Sequence, residues 1–164
     1  MRIIWNLMCF HKDIPMRKIA IAGTFAAALF TGSMALAQDL SGLWQQIDDK
    51  TGSPKALIEI KNQADGSYTG TITKVTPRPG YTPREKCNKC PAPYTNKPIL
   101  GLDVIKGLKP TTTNNYAHGR VLDPLTGKIY DLKGRISANG KRLTLRGYIG
   151  ISAIGRTQTW IRQD

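Results

Sequence analysis

From residue 40 to the end of the chain, apolar and polar residues alternate with a period of two, and Gly, Asn, Asp and Pro interrupt the alternation at short intervals. Alternation of this kind places successive side chains on opposite faces of a strand, so the pattern predicts an all-β domain. No segment after residue 40 shows the periodicity of an amphipathic helix. Eight strands are predicted, over residues 42–47, 55–61, 68–75, 99–108, 116–122, 128–137, 141–149 and 156–162.

Two glycine-containing turns indicate how the strands pair. Asp65-Gly66 separates the second and third strands, and Asn139-Gly140 separates the sixth and seventh. Both dipeptides tolerate the positive φ angles of tight hairpin turns. Because most other connections are also short, we predict an eight-stranded up-and-down β-barrel, with a two-sheet sandwich as the alternative. A barrel of this size is either filled by its own side chains or holds one small ligand, and strand count does not decide between the two.

Residues 77–98 break the alternation with six prolines, which remove more amide donors than the interior of a sheet accommodates. We therefore predict a long loop. Long loops in compact domains are often functional.

A different pattern precedes the alternation. Residues 16–18 (Met-Arg-Lys) are followed by an apolar run at 19–30 and by Ala-Leu-Ala at 35–37, which is the sequence of features found in an export signal. The apolar run is shorter than the roughly 20 residues of a membrane-spanning helix, so we expect cleavage after the Ala-Leu-Ala rather than an uncleaved anchor. Residues 1–15 show no pattern, and Met16 is the better start. The predicted mature protein is periplasmic or secreted and not transmembrane.

Residues 38–164 fit one domain. The whole chain has 24 Lys and Arg against 11 Asp and Glu; residues 1–37 hold four of the former and one of the latter, so the mature net charge is +10. A basic exported protein meets mainly anionic lipid headgroups, cell-wall polymers and acidic saccharides. No nucleic-acid-binding module is recognisable, so specific nucleic-acid binding is not expected. The sequence does not define the oligomeric state.

Cys87 and Cys90 form a Cys-x-x-Cys motif inside the predicted loop. Such a pair can cycle between dithiol and disulfide, but redox enzymes set the first cysteine at a helix N-terminus, whereas here Pro91 follows and no helical pattern comes after it. A metal site would need further ligands, of which the mature chain offers one histidine, His118. We therefore favour a structural disulfide that clamps the loop in an oxidising compartment, and we expect no metal and no cofactor.

No catalytic set emerges from the other polar residues. His118 lies in a predicted strand in register with Tyr116 and Arg120, where it could be a general base if a nucleophile faced it. The serines lack a nucleophile-elbow pattern, and the carboxylates are either adjacent in a turn or isolated on strands. We expect no catalytic residues.

Aromatic and arginine side chains near the two ends of the mature chain are the candidate ligand-binding residues. In a closed barrel the first and last strands are neighbours, so the aromatic rings could lie together, either as a ligand wall or as core. An arginine stacked on a tryptophan face would cap one barrel end or receive an anionic group. The candidates are Trp44, Tyr148, Trp160, Arg146 and Arg156.

Several motifs together resemble a family of bacterial exported proteins known as domain of unknown function 2147. They are Gly-Leu-Trp at 42–44, Cys-Asn-Lys-Cys at 87–90, Lys-Pro-Ile-Leu-Gly-Leu at 97–102, Gly-Arg-Val-Leu-Asp-Pro at 119–124, Gly-Lys-Ile-Tyr at 127–130, Arg-Gly-Tyr-Ile-Gly at 146–150 and Gly-Arg-Thr-Gln-Thr-Trp at 155–160. The resemblance implies a lipocalin-like barrel in a bacterial envelope and transfers no activity. By the same likeness, Trp44 paired with Arg156 or Arg162 would close one barrel end.

These observations favour a non-enzymatic exported protein that binds a small amphipathic or anionic envelope molecule at an open barrel end, beneath the Cys87 to Cys90 loop. Two alternatives stay open. One is a thiol-redox or metal-dependent activity at the two cysteines, and the other is a basic module that interacts with cell-wall polymer.

Overall fold

The computed structural model describes residues 38–77, 79–80 and 82–163. The predicted export signal at residues 1–37 lies outside these residues. The described part of the chain contains eight strands: β1 Gly42–Ile47, β2 Pro54–Asn62, β3 Tyr68–Val75, β4 Asp103–Thr112, β5 Asn115–Leu122, β6 Ile129–Ile136, β7 Arg142–Tyr148 and β8 Gly155–Gln163. No helix in the described residues is long and apolar enough to cross a membrane.

Each strand pairs antiparallel with the next one in the chain, and β1 also pairs with β8, which closes the sheet into a barrel. The closing register places Trp44 opposite Arg162 and Gln46 opposite Trp160. The predicted all-β, eight-stranded up-and-down barrel is therefore confirmed, and the sandwich alternative is wrong. Closure pairs both edges of the sheet, so the barrel has no unpaired edge strand.

Alternation along the strands directs apolar side chains into the barrel interior. In β2 the buried side chains are Ala56, Ile58 and Ile60, and in β7 they are Leu143 and Leu145. The intervening residues of these strands lie nearer the solvent, as the period of two requires. The hydrophobic core is thus the inside of the barrel.

The fourth strand differs from its prediction. It begins at Asp103 and runs to Thr112, so the predicted turn at 109–115 shortens to residues 113–114. Pro110 lies within β4, which has no β3 partner beyond Leu108. A proline is tolerated there because that side of the strand forms no ladder to interrupt.

The two ends of the barrel are built differently. At one end, called the closed end, lie the tight turns after β2, β4 and β6 and the segment 38–41, which is hydrogen-bonded to the turn after β6 and to Arg162 of β8. At the other, called the open end, lie the turns after β1 and β5, the long loop 76–102 and the loop 149–154. The predicted proline-rich loop is therefore present, and it belongs to the open end.

Candidate functional site

The open end leads into a cavity of about 480 Å³ inside the barrel. Its wall is mainly apolar because the inward-facing positions of five strands are aliphatic or aromatic there, as with Ile58, Ile72, Leu132, Leu145 and Trp160. The volume lies in the range of about 300–1,000 Å³ that is typical of small-molecule sites. The barrel is therefore hollow at one end.

A short polar network is set into this apolar wall. Gln46 on β1 donates from Nε2 to Gln158 Oε1 on β8 at 2.8 Å, and Trp160 Nε1 donates to the same oxygen at 3.4 Å. The β1–β8 pairing that closes the barrel brings these side chains together. Both glutamines line the cavity, so they offer amide groups to a polar atom of a ligand.

Two cations at the cavity mouth are paired with carboxylates. Arg156 donates to both carboxylate oxygens of Asp49, from Nε at 2.8 Å and from a second nitrogen. Hydrogen bonding to Arg156 holds the pKa of the Asp49 carboxyl below its usual range. Lys55 Nζ lies 3.6 Å from an Asp48 carboxylate oxygen. The charges of Arg156 and Lys55 are thus largely compensated.

Arg84, on the long loop, is the mouth cation that lacks such a partner within the described residues. Its guanidinium donates to the Leu125 carbonyl at 3.3 Å, which leaves its charge uncompensated. The Asp123 carboxylate also lines the cavity, but it accepts bonds from its own turn, from the Leu125 amide and the Thr126 hydroxyl, each at 2.9 Å. No ion pair between Arg84 and Asp123 forms.

The candidate residues fall into three places. Tyr148, Trp160 and Arg156 line the cavity. Trp44 lies at the closed end and is completely buried, and Arg146 binds the loop 149–154. The structure therefore brings three of the five candidates together; that they contact a ligand stays a prediction.

Trp44 and Arg162 seal the closed end. The Arg162 guanidinium lies 4.3 Å from the centre of the Trp44 ring and donates to the carbonyls of Ser41, Asp39 and Gly140 at 2.6, 2.8 and 2.9 Å. Trp44 Nε1 donates to the Leu40 carbonyl at 2.9 Å. The arginine that pairs with Trp44 is thus Arg162, and Arg156 lies at the opposite end.

Cys87 and Cys90 are joined by a disulfide, as predicted, and both are buried. The cysteine loop packs on the β5–β6 turn, where a Cβ added to Gly127 would lie 1.8 Å from the Lys89 carbonyl oxygen. The Cys87 amide donates to the Lys97 carbonyl at 2.9 Å, which ties the two sides of the loop together. The disulfide therefore clamps a loop that forms part of the open end.

His118 does not have the register that the sequence predicted. Its φ is +62°, and the β5–β6 pairing shifts between Tyr116 and Gly119, so Tyr116 points inward while His118 is exposed. His118 is not part of the cavity lining. Among the residues that the structure describes, no group of three or more His, Cys, Asp or Glu is placed to hold a metal ion.

Sequence reasoning missed Gln46, Gln158, Arg84 and Gly147 as cavity residues. Gln46 and Gln158 could have been found, because they occupy the inward positions two residues from Trp44 and Trp160 in the alternation. Arg84 carried no such signal, because a loop residue has no periodic pattern that fixes its direction.

A closed antiparallel barrel with one sealed end and an apolar cavity at the other is the architecture of a lipocalin-like protein. The chain belongs to the bacterial family described as uncharacterized protein conserved in bacteria (DUF2147), whose model matches residues 42–162. It is also similar to a solved structure described as protein HP1028 from the human pathogen Helicobacter pylori, of the lipocalin family. The TM-score is 0.64 at 20% sequence identity, covering 77% of this chain and 84% of that one. No curated protein matches the chain.

Proposed function

We propose that this protein is a non-enzymatic barrel of the bacterial periplasm that binds one small amphipathic or anionic envelope molecule through its open end. The observation that carries the proposal is the cavity of about 480 Å³, which is apolar in its depth and has cations and amides toward its mouth. An apolar tail would displace water from the walls, while the head group would stay near the polar mouth. The periplasmic location rests on the export signal predicted at residues 1–37.

The thiol-redox alternative gains no support from the cysteine geometry. Both cysteines are buried, and Cys87 does not lie at the N-terminus of a helix, where redox enzymes place the attacking cysteine. A metal-dependent activity gains none from His118, whose side chain is exposed outside the cavity. A binding role needs neither, because it requires only shape and polarity.

The cavity can be filled without disturbing the backbone. Gly147 lines the cavity, and a Cβ added there would have its nearest neighbours, Tyr130 Cβ and Val121 Cγ1, at 3.6 Å, an ordinary contact distance. We expect Gly147→Phe to occupy ligand space, whereas Thr144→Phe adds the same ring to an exposed position of the same strand. The two variants therefore form a matched pair.

Native mass spectrometry of protein purified from its own envelope is the test. We expect wild type and Thr144→Phe to carry a bound small molecule and Gly147→Phe to be free of it. Wild type and Thr144→Phe should also bind a fluorescent amphiphile, anilinonaphthalene sulfonate, and Gly147→Phe should bind it weakly. Circular dichroism confirms that all three proteins fold. Wild-type protein that carries nothing and binds no amphiphile would contradict the proposal.

A further inference from the structure

The loop 149–154, between β7 and β8, exposes three isoleucines. Ile149, Ile151 and Ile154 are 64%, 68% and 78% exposed, and they lie within six consecutive residues. Ile149 and Ile154 also line the cavity mouth. Single exposed apolar residues are ordinary on a protein surface, but a cluster at the rim of a cavity indicates an interaction site.

This apolar loop is held in place by side chains of two neighbouring strands. Arg146 on β7 donates to the Ser152 and Ala153 carbonyls at 2.6 and 2.7 Å. Lys133 on β6 donates to the Ser152 hydroxyl at 3.0 Å. The isoleucines are therefore displayed by a fixed backbone, which reduces the entropy lost when they are buried by a partner.

The same two side chains place positive charge directly beside the isoleucines. Within the described residues, neither Arg146 nor Lys133 forms an ion pair, and their hydrogen bonds go to neutral oxygens. An apolar tip with cations at its base is the arrangement by which proteins dock at the interface of an anionic bilayer. The net charge of +10 over residues 38–164 adds a long-range attraction of the same sign.

We propose that the loop 149–154 docks this protein on anionic lipid bilayers, with Ile151 inserted between headgroups and Lys133 and Arg146 facing lipid phosphates. Docking through this loop sets the cavity mouth against the bilayer. An amphipathic molecule then passes between the bilayer and the cavity without crossing water. The inference goes beyond the proposed function, because docking needs no occupied cavity.

Cosedimentation with vesicles tests the apolar part of the proposal. The purified protein is mixed with vesicles of phosphatidylglycerol and phosphatidylethanolamine, and in parallel with vesicles of phosphatidylcholine alone. We expect binding to the anionic vesicles only. Ile151→Asp should weaken it about tenfold or more, because a carboxylate then enters the interface, while Ile151→Leu should bind as wild type does.

A pair of lysine variants tests the charged part. Lys133→Gln removes a cation at the loop. Lys141→Gln removes one from the β6–β7 turn at the closed end, where Lys141 is exposed and has no ion pair within the described residues. We expect Lys133→Gln to weaken vesicle binding about fivefold, which corresponds to one basic residue near an anionic surface, and Lys141→Gln to have little effect.

Three results would overturn the proposal. The first is vesicle binding that Ile151→Asp leaves unchanged, and the second is equal losses in the two lysine variants. The third is the absence of binding to the anionic vesicles; an Ile151-dependent dimer in sedimentation velocity, or salt-sensitive pelleting on cell-wall polymer, would then identify the partner instead. Gly147→Phe should dock as wild type does, so failure of the ligand-binding proposal is distinguishable from failure of this one.

Discussion

At the residue scale, Arg162 shows why a single arginine can close a barrel end. Its planar guanidinium donates to three backbone carbonyls and at the same time lies over the Trp44 ring. A lysine has one ammonium group and could not span these partners. The sequence could not choose between Arg156 and Arg162, because the choice depends on the β1–β8 register, which joins residues more than a hundred positions apart.

Tyr116 makes the closed end sensitive to alkaline pH. Its hydroxyl donates to the Gln38 carbonyl, and burial raises its pKa from 10.0 to about 12. The folded state therefore holds this proton more tightly than the unfolded state, so the stabilisation is complete below pH 10 and is lost as pH rises toward about 12. We expect the free energy of unfolding to fall by about 2 kcal/mol over that interval because of this residue.

Denaturant unfolding at a series of alkaline pH values measures the effect. Tyr116→Phe should reduce the fall in the free energy of unfolding between pH 10 and about 12. Tyr130→Phe at the open end is the matched control, because it removes one hydroxyl elsewhere and should leave that fall unchanged. An unchanged slope in Tyr116→Phe would show that another group controls the alkaline transition.

At the element scale, the alternation of apolar and polar residues predicts where the strands occur. It does not predict the β-bulges, which change which side chains of a strand point into the barrel. β4 and β5 each include a residue with positive φ, Gly107 at +67° and His118 at +62°. A bulge inserts one unpaired residue and reverses which side chains point inward beyond it. For this reason the existence of both strands was predictable, whereas the outward position of His118 was not.

Gly127 couples two elements of the open end, the β5–β6 turn and the disulfide loop. Its φ is +73°, and a Cβ there would lie 1.8 Å from the Lys89 carbonyl oxygen. Gly66, with φ +75°, has no atom within 4 Å of such a Cβ. Gly127→Ala should therefore lower the free energy of unfolding by about 3 kcal/mol or more, while Gly66→Ala should cost about 1 kcal/mol for backbone strain alone. Denaturant titration of both variants compares them, and equal losses would show that the packing of loop on turn contributes nothing.

At the scale of the whole molecule, the barrel was predictable and its hollow interior was not. The alternation of apolar and polar residues is the same at both ends, but the side chains differ in size. Trp44, Tyr116 and Leu40 fill the closed end, whereas Ala56 and Gly147 leave room at the open one. Strand tilt and register decide which small and large side chains lie at the same height along the barrel axis. A strand count therefore leaves the cavity volume undetermined.

Arg84 is the residue at which charge matters for binding at the open end. Asp49 compensates Arg156, so the uncompensated cation of the described cavity lining is Arg84. If the ligand's head group is anionic, Arg84→Gln should weaken binding about tenfold, since a hydrogen bond to a charged group is worth about 1.5–3 kcal/mol. Lys141→Gln makes the same change in net charge at the closed end and should have little effect.

Fluorescence displacement with two amphiphiles of equal chain length, one anionic and one neutral, separates the head group from the tail. Arg84→Gln should affect only the anionic compound, and the loss should shrink at high salt because the wild-type attraction at this exposed mouth is itself screened. Equal losses for both compounds would mean that the substitution reshapes the long loop. No loss for either compound would place the head group against the Gln46–Gln158 amides instead of against Arg84.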